Sequence, residues 1–326
     1  MGIRLSAVFL ALVAASAAQS APTPPVPPVA GWWRLVSASS PPNAPSRIIV
    51  EGPSRFGDFH LYNSFPTGVV LEVLSLDPAR AGIGIEARQV GDALVLTRPG
   101  RAQRGAGPAT PERQESWSVD VAGRLRIEVI DRWPGGTPVR AETVYERVVP
   151  SASRAVNLLE NADGNAGGAG WWPTGDARVE NCGGNPCFAV RNRGAFHQKV
   201  LLPTGAEGQY LVAIGSGANE RIGESITDKG RLYGLFGTAD GFLFVGYLQG
   251  QSMRAESSEP NVWVKMSGIF PIPAGAAQVT FDLSQAEARG VPRSGSAARF
   301  DDVGLFVFAT ESEARDFIAR WRSRRE

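Results

Sequence analysis

Residues 300–308 read FDDVGLFVF, a largely apolar run that closes a segment opened by NLLEN at residues 157–161. Between these two stretches lie FHQKVLLP at residues 196–203 and WVKMSGIFPIPAG at residues 263–275. Short apolar runs separated by Gly, Pro, Asp and Asn are typical of β-strands joined by tight turns. This part of the chain is therefore predicted to be one all-β domain.

These stretches together resemble the galactose-binding-like jelly rolls of bacterial carbohydrate-binding modules, and more distantly the F-box-associated domains that share this fold. The resemblance covers residues 157–308, and we place the predicted jelly-roll domain at residues 156–310. It implies a β-sandwich that binds a carbohydrate or a cell-envelope glycan. The chain carries no F-box, so no role in a ubiquitin ligase follows from the more distant resemblance.

The preceding part of the chain has a second set of short apolar runs. It contains GWWRLV at residues 31–36, ESWSVD at 115–120, GRLRI at 123–127 and VYER at 144–147. This series resembles small secreted β domains of a lipocalin-like kind. The resemblance covers residues 31–149 and predicts a domain over residues 31–150. The implied fold is a lipocalin-like β barrel or sandwich with the Trp and Tyr side chains in its core, and such a barrel can also hold a small apolar ligand.

The predicted fold class is therefore all-β, a lipocalin-like domain followed by a jelly roll. Residues 151–155 are small and polar and form a predicted linker. Only the tail at residues 311–326 departs from the pattern, because Ala314, Phe317 and Trp321 recur at helical spacing. A short C-terminal helix is expected there.

The N-terminus has the pattern of a signal peptide. Arg4 precedes an apolar run at residues 5–18, and small residues at cleavage positions place the end of the signal near residue 20. Residues 21–30 are rich in proline and form a predicted stiff linker. No other apolar stretch is long enough to span a membrane. The sequence predicts a periplasmic or secreted protein with no integral membrane segment after cleavage.

The chain has two cysteines, Cys182 and Cys187. In an oxidising compartment two cysteines this close are expected to form a small-loop disulfide. The alternative is a metal site, which would need further ligands from a chain whose only histidines are His60 and His197.

Charge and motifs exclude several classes of function. The 33 basic and 32 acidic residues give a net charge of +1, which does not indicate a nucleic-acid partner. The sequence lacks the G-x-S-x-G, H-E-x-x-H and Walker motifs. The neighbouring Asp301 and Asp302 would point to opposite faces of a strand, which makes them a poor glycosidase pair. No enzymatic activity is predicted.

The resemblance to carbohydrate-binding modules implies a site in which aromatic rings stack on a sugar and polar side chains bind its hydroxyls. The candidate ligand-binding residues in the jelly roll are Trp171, Trp172, Arg191, Arg193 and Tyr233. The alternative is that each Trp is packed in the core and each Arg is merely solvated. A further candidate is Trp133, which lies at a predicted hairpin turn and would either fold over that turn or contact a ligand or partner.

The resemblance also implies a structural Ca²⁺ where the first and last strands of the jelly roll meet. The matching residues are Glu160 and Asp301, and carboxylate oxygens suit this hard cation. The alternative is that Asp301 caps a turn or faces solvent. No other cofactor is expected.

The function predicted from the sequence is an exported, non-catalytic protein that binds carbohydrate through its jelly roll. Two alternatives stay open. One is a carrier of a small apolar ligand in the lipocalin-like domain, and the other is a structural or interaction protein of the cell envelope.

Overall fold

The computed structural model describes residues 28–38, 44–54, 58–77, 85–100, 110–148, 156–222, 229–241, 243–285 and 295–324. The predicted signal peptide and interdomain linker, and most of the proline-rich linker, lie outside the described residues. Across the described ranges, no helix has both the length and the apolarity needed to cross a membrane.

The first domain is a single antiparallel sheet of nine described strands. Their bounds are β1 Gly31–Ala38, β2 Arg47–Glu51, β3 Asp58–Phe65, β4 Gly68–Ser75, β5 Glu86–Val90, β6 Ala93–Arg98, β7 Glu112–Val119, β8 Leu125–Arg132 and β9 Val139–Arg147. Their order in the sheet is β4-β3-β2-β1-β9-β8-β7-β6-β5. An ion pair of 2.8 Å joins Arg98 Nη2 of β6 to Glu72 Oε2 of β4. Since β4 is one edge of this order, the sheet must curl until its two ends approach each other.

The core of the first domain contains the predicted aromatic residues. Trp33, Trp117 and Tyr145 are buried together with Phe59, Leu61 and other apolar side chains. Every strand is antiparallel to its neighbours in the sheet. The all-β prediction is confirmed, and the likeness to lipocalins stays a prediction.

The second domain adds eight strands and one helix. Their bounds are β10 Trp172–Cys182, β11 Asn185–Leu201, β12 Tyr210–Asn219, β13 Gly230–Gly237, β14 Phe244–Leu248, β15 Val264–Pro271, β16 Gln278–Gln285, β17 Ala298–Phe308 and α1 Glu311–Ser323. The long strand β11 joins two layers, because its first part pairs with β17 and its last part pairs with β16. A dense apolar core lies between the layers.

A kink in β11 makes this double pairing feasible. Asn192 and Arg193 have φ values of 50° and 68°, so the extended backbone is interrupted there. Gly194 follows, and a Cβ atom on it would lie 2.5 Å from the carbonyl oxygen of Asp176 on β10. Only glycine allows this close approach of the two backbones.

Strand β10 is absent from the strands predicted by sequence. It contains Pro173 and Gly175, two residues that are unfavourable within a strand, and its pairing with β11 shifts register between Thr174 and Asp176. Its last residue, Cys182, forms the predicted disulfide with Cys187 of β11. The disulfide therefore closes the β10–β11 hairpin.

The predicted C-terminal helix is confirmed and extends to Ser323. Thr310 and Glu313 form a capping box at its start, which satisfies two backbone N–H groups. Its apolar side packs on the second domain through the buried residues Ala314 and Trp321.

The two domains are in direct contact. Trp32, Ile49 and Tyr62 of the first domain form a buried cluster against Trp172 and Leu201 of the second. A backbone hydrogen bond of 2.9 Å runs from the Val69 nitrogen to the Trp171 oxygen. Beside this cluster, Lys199 Nζ lies 2.6 Å from Glu51 Oε1, and both side chains are almost fully buried. The first domain thus covers one end of the β11 surface.

Candidate functional site

One face of the second domain is turned away from its core and brings together side chains from four strands. Tyr233 of β13 is the pairing partner of Asp282 of β16, and Asp282 is the partner of His197 of β11. His197 in turn pairs with Trp172 of β10. Because side chains directly opposite each other in an antiparallel sheet lie on the same face, these four residues form one row across the sheet.

The alternation of each strand explains why this row faces outward. The neighbours of these residues along β13, β16 and β11, namely Leu232, Phe281, Leu283 and Phe196, are buried in the core. Successive side chains of a strand point to opposite faces. The polar and aromatic residues between them are therefore displayed on the other side.

Hydrogen bonds fix the middle of this row. His197 Nδ1 lies 2.6 Å from Asp282 Oδ1, and His197 Nε2 lies 2.9 Å from Thr174 Oγ1. The imidazole and the carboxylate are both partly buried. A ring held from both nitrogens has a defined orientation, so the polar groups here are preorganised.

Two tyrosines lie at the other end of the row. Tyr247 of the edge strand β14 is 59% exposed, and its ring centroid lies 6.5 Å from that of Tyr233. Burial raises the pKa of the Tyr233 phenol, and the nearby Tyr247 and Asp282 raise it further. The Tyr233 hydroxyl is therefore protonated at neutral pH and can donate a hydrogen bond.

Arginine side chains border the tyrosines. Arg231 Cζ lies 5.0 Å from the centre of the Tyr233 ring, and its Nε donates to Ser284 Oγ at 3.1 Å. The backbone of Arg231 pairs with that of Arg254. We call the patch formed by His197, Asp282, Tyr233, Tyr247 and Arg231 the tyrosine face.

A cavity of about 250 Å³ opens beside the tyrosine face. Its walls are formed by Arg231, Leu232, Tyr233, Gln249, Gly250, Gln251 and Arg254. The described lining thus combines one aromatic ring with guanidinium and carboxamide groups and includes no carboxylate. The arrangement can stack on a flat apolar surface and bind polar groups at its rim.

The structure corrects the prediction for Trp171. This side chain is 0% exposed, and its ring packs 4.9 Å from that of Phe188 in the core. Its Nε1 donates to the Asn161 oxygen at 3.1 Å. A side chain enclosed in this way cannot stack on a ligand, so Trp171 is a structural residue.

Trp172 lies in the row of the tyrosine face but is used for domain packing. Its ring lies 5.6 Å from Tyr62 of the first domain and 4.9 Å from His197. As expected for adjacent strand positions, it points away from the core that holds Trp171. Trp172 supports His197 from the side of the domain contact.

Arg191, Arg193 and Trp133 lie apart from the tyrosine face. Arg191 forms two hydrogen bonds to Glu180, of 2.7 and 3.1 Å, on the part of β11 before the kink. Arg193 is exposed at the kink itself. Trp133 follows β8 in the first domain, where it is 45% exposed. Of the six predicted ligand residues, the structure therefore places only Tyr233 and Trp172 in this row.

The predicted calcium ligands do not fit a calcium ion. Glu160 Oε1 lies 2.5 Å from Arg47 Nη1 of the first domain, so this carboxylate already has a cationic partner. Asp301 accepts the backbone N–H of Asp302 at 2.8 Å, and burial raises its pKa. Among the residues with described positions, no three His, Cys, Asp or Glu side chains form a group that could hold a metal.

Sequence reasoning missed most of the tyrosine face. His197 was named only as a histidine that a metal site would need, and Asp282, Tyr247 and Arg231 were not singled out. A signal is present in the alternation of polar residues with Val279, Phe281 and Leu283 on β16. This alternation does not reveal which strands flank β16. The sequence therefore could not predict that these side chains lie beside one another.

The first domain holds a separate and larger cavity of about 680 Å³. Apolar and aromatic side chains, among them Ile127, Trp117 and Tyr145, form part of its wall. Polar and charged side chains form the rest, and several of the charged ones pair with one another: Arg98 with Glu72 and Glu115, and Arg113 with Asp131.

Comparisons with known proteins give structural likenesses only. No family model matches the chain, and no curated protein matches it. The enzymatically active domain of bacteriophage CBA120 tailspike protein 4 is 11% identical, with a TM-score of 0.35 over 47% of this chain. This chain spans only 21% of the length of that tailspike chain.

Two other solved structures are carbohydrate-binding modules. The xylan-binding CBM22-1 domain of Paenibacillus barcinonensis Xyn10C is 12% identical, with a TM-score of 0.31, and covers 50% of this chain and 99% of its own. TmCBM61, solved with β-1,4-galactotriose, is 18% identical, with a TM-score of 0.29 and coverage of 47% and 99%. At these identities and TM-scores the likenesses carry no argument about the ligand of this chain.

Proposed function

We propose that this protein is an exported, non-catalytic binding protein that holds a carbohydrate on the tyrosine face of its second domain. The observation that carries the proposal is the placement of the exposed Tyr247 and the partly buried Tyr233 beside the fixed pair of His197 and Asp282. A sugar ring carries both C–H groups and hydroxyls. The aromatic surface can contact the first, and the oriented polar groups can bind the second.

Each part of the tyrosine face has a role in this proposal. The exposed ring of Tyr247 offers a flat surface to the C–H groups of a sugar, which avoid water. The Asp282 carboxylate accepts hydrogen bonds from hydroxyls, and the Tyr233 phenol donates one. Because His197 and Thr174 already hold one another in place, little side-chain entropy is lost when a ligand binds.

Export and lack of catalysis are part of the same proposal. The disulfide between Cys182 and Cys187 is consistent with an oxidising, periplasmic or extracellular compartment. Within the tyrosine face the only carboxylate is Asp282, whereas glycoside hydrolysis ordinarily requires two across the scissile bond. Binding alone is therefore the activity that the side chains favour.

The test is a glycan array with the purified full-length protein, followed by titration of each glycan that binds. Tyr247→Ala is expected to weaken binding by about tenfold or more, since a stacking aromatic residue commonly contributes over 1 kcal/mol. Trp133→Ala is the matched control, because it removes an exposed aromatic ring from the other domain. Circular dichroism and thermal unfolding confirm that both variants are folded.

Two results would overturn the proposal. One is a folded protein that binds no glycan on the array. The other is glycan binding that Tyr247→Ala leaves unchanged. If Trp133→Ala abolished glycan binding instead, the site would lie in the first domain.

The first-domain cavity of about 680 Å³ favours a second candidate function, the binding of a small molecule. Its charged wall makes an amphipathic ligand a better match than the purely apolar one expected from sequence. Native mass spectrometry of the purified protein is expected to detect a co-purifying small molecule. Ile127→Trp, which fills the cavity, should abolish the added mass of that molecule. The same added mass on both proteins, or none on either, would reject this candidate.

A further inference from the structure

The cavity beside the tyrosine face is positively charged. Arg231 and Arg254 both line it, and the remaining described lining is neutral. Neither guanidinium forms an ion pair with a carboxylate among the described residues, and Arg231 has only the Ser284 hydroxyl as a side-chain hydrogen-bond partner. Most of the ten or so N–H donors on two arginines are therefore available on one small surface.

We infer that the saccharide bound here is acidic and that Arg231 and Arg254 bind its anionic group. This inference rests on the proposed function, because it assigns a chemical class to the ligand of the tyrosine face. The anionic group is a carboxylate or a sulfate on the sugar. Both present coplanar or nearly coplanar oxygen pairs that a guanidinium can bind through two parallel hydrogen bonds.

The carboxylates near these arginines have other partners, and Glu256, two residues from Arg254, pairs with Lys229. Asp282 lies close enough to influence Tyr233, but its carboxylate oxygen is engaged by His197 at 2.6 Å. Arg231 Cζ lies over the Tyr233 ring, 5.0 Å from its centre, and Arg231 also lines the cavity.

Other arginines of the second domain show what a structural role looks like. Arg191 has Glu180 at 2.7 Å, and Arg315 of α1 has Glu311 one turn away. A neutral saccharide would not need an unpaired pair of guanidinium groups beside its aromatic platform. An anionic sugar supplies the missing partner, and the two carboxamides at Gln249 and Gln251 suit the neighbouring hydroxyls.

The test is isothermal titration of the full-length protein with four matched oligosaccharides. The first is an oligogalacturonate, which carries carboxylates, and the second is its methyl ester, which has the same backbone without the charge. The third is a sulfated galactan oligosaccharide and the fourth is a neutral galactan oligosaccharide. The first and third distinguish a carboxylate from a sulfate.

The variants are Arg254→Gln, Arg231→Gln and, as a control for net charge, Arg320→Gln on the exposed side of α1. Loss of one charge-assisted hydrogen bond is expected to weaken binding of an acidic oligosaccharide by about tenfold or more. Arg254→Gln, which lies beside the tyrosine face and not in it, should leave the affinity for neutral oligosaccharides within about twofold. Arg320→Gln should change neither affinity, since screening over about 8 Å suppresses distant charges at physiological salt.

The outcomes separate this inference from the proposed function. Preference for an acidic oligosaccharide that is lost in Arg254→Gln and kept in Arg320→Gln supports both. Equal binding of charged and neutral oligosaccharides that depends on Tyr247 but not on Arg254 overturns the acidic ligand and leaves the carbohydrate site intact. Equal weakening by Arg320→Gln shows nonspecific charge attraction and overturns the inference. Absence of any binding in the folded protein overturns both proposals.

Discussion

The two cavities differ in the partners of their arginines. In the cavity of the first domain, Arg98 contacts Glu72 at 2.8 Å and Glu115 at 3.3 Å, and Arg113 binds both oxygens of Asp131 at 2.7 and 2.8 Å. Beside the tyrosine face of the second domain, Arg231 and Arg254 line a cavity without a carboxylate in its described wall. Arg98 and Arg113 are thus neutralised within the protein, whereas Arg231 and Arg254 have no carboxylate partner among the described residues.

This difference lies in the neighbours of each charge, since Arg98, Arg113, Arg231 and Arg254 are all half-buried. Partial burial of a charge costs free energy, and carboxylates offset that cost at Arg98 and Arg113. Arg231 and Arg254 have no such partner among the described residues. Removal of a paired arginine should therefore reduce stability, whereas removal of an unpaired arginine should reduce binding.

The largest expected effect is at the buried pair between the domains. Glu51→Gln leaves Lys199 without its counter-charge in an environment where burial already lowers the pKa of that amine. Breaking a buried pair on one side typically costs about 3–5 kcal/mol. Urea unfolding measures this loss. Glu146→Gln, which removes an exposed partner of Arg34, is the control. It should change the free energy of unfolding by less than about 1 kcal/mol. Equal losses for Glu51→Gln and Glu146→Gln would contradict the burial argument.

A smaller loss is expected in the first-domain cavity. Arg98→Met removes the shared partner of Glu72 and Glu115, and should lower the free energy of unfolding by about 1–3 kcal/mol. Affinity for the saccharide ligand should not change, because the tyrosine face is in the other domain. Chemical denaturation and titration on the same sample test both statements. A stable Arg98→Met protein with weakened saccharide binding would reverse the roles assigned to the two regions.

A third prediction concerns pH and the paired Arg191. Hydrogen bonds from Arg191 lower the pKa of the Glu180 carboxyl from 4.5 to about 2. The folded state thus binds this proton less tightly than the unfolded state, so the stabilisation is present above pH 4.5 and is lost as pH falls toward 2. Since the pair is partly solvated, its contribution is at most about 1 kcal/mol.

Arg191→Gln tests this pH dependence. At neutral pH the urea midpoint of Arg191→Gln should be lower than that of the unaltered protein. As pH falls toward 2, the two midpoints should converge. Arg320→Gln serves as the control, with the same loss of charge and no such convergence. A difference that stays constant with pH would show that Arg191 stabilises the fold by packing alone.

The smallest effect on stability is expected at the open cavity. Arg254→Gln should change the free energy of unfolding by no more than about 0.5 kcal/mol, as is usual for a surface substitution without buried partners. Differential scanning calorimetry of the full-length protein measures the change. A loss of several degrees in melting temperature would show that Arg254 has a structural partner, and would remove the contrast between the two domains.

The sequence predicted the elements that depend on neighbours along the chain. The helical spacing that ends at Trp321 led to α1, and the small loop led to the Cys182–Cys187 disulfide. Strand β10 was missed because Pro173 and Gly175 break its pattern. There the long pairing with β11 outweighs local propensity.

The candidate site was predicted less well for a different reason. Trp171 and Trp172 are adjacent in the sequence, and nothing in it states that one fills the core while the other meets Tyr62 across the domain contact. Tyr233 was proposed, but its partners Asp282 and His197 are separated from it by tens of residues and lie beside it only because β16 pairs with both β13 and β11.

The sequence by itself determined the all-β class, the terminal helix and the disulfide, because alternation, turn residues and short-range spacing act locally. The tertiary structure alone decided which side chains share a face and which charges have partners. Strand order and the kink at Gly194 bring distant residues together, and the first domain covers one end of the β11 surface while Tyr247 stays exposed. Those long-range contacts decide which charged groups have partners in the protein, and a group without one is available to a ligand.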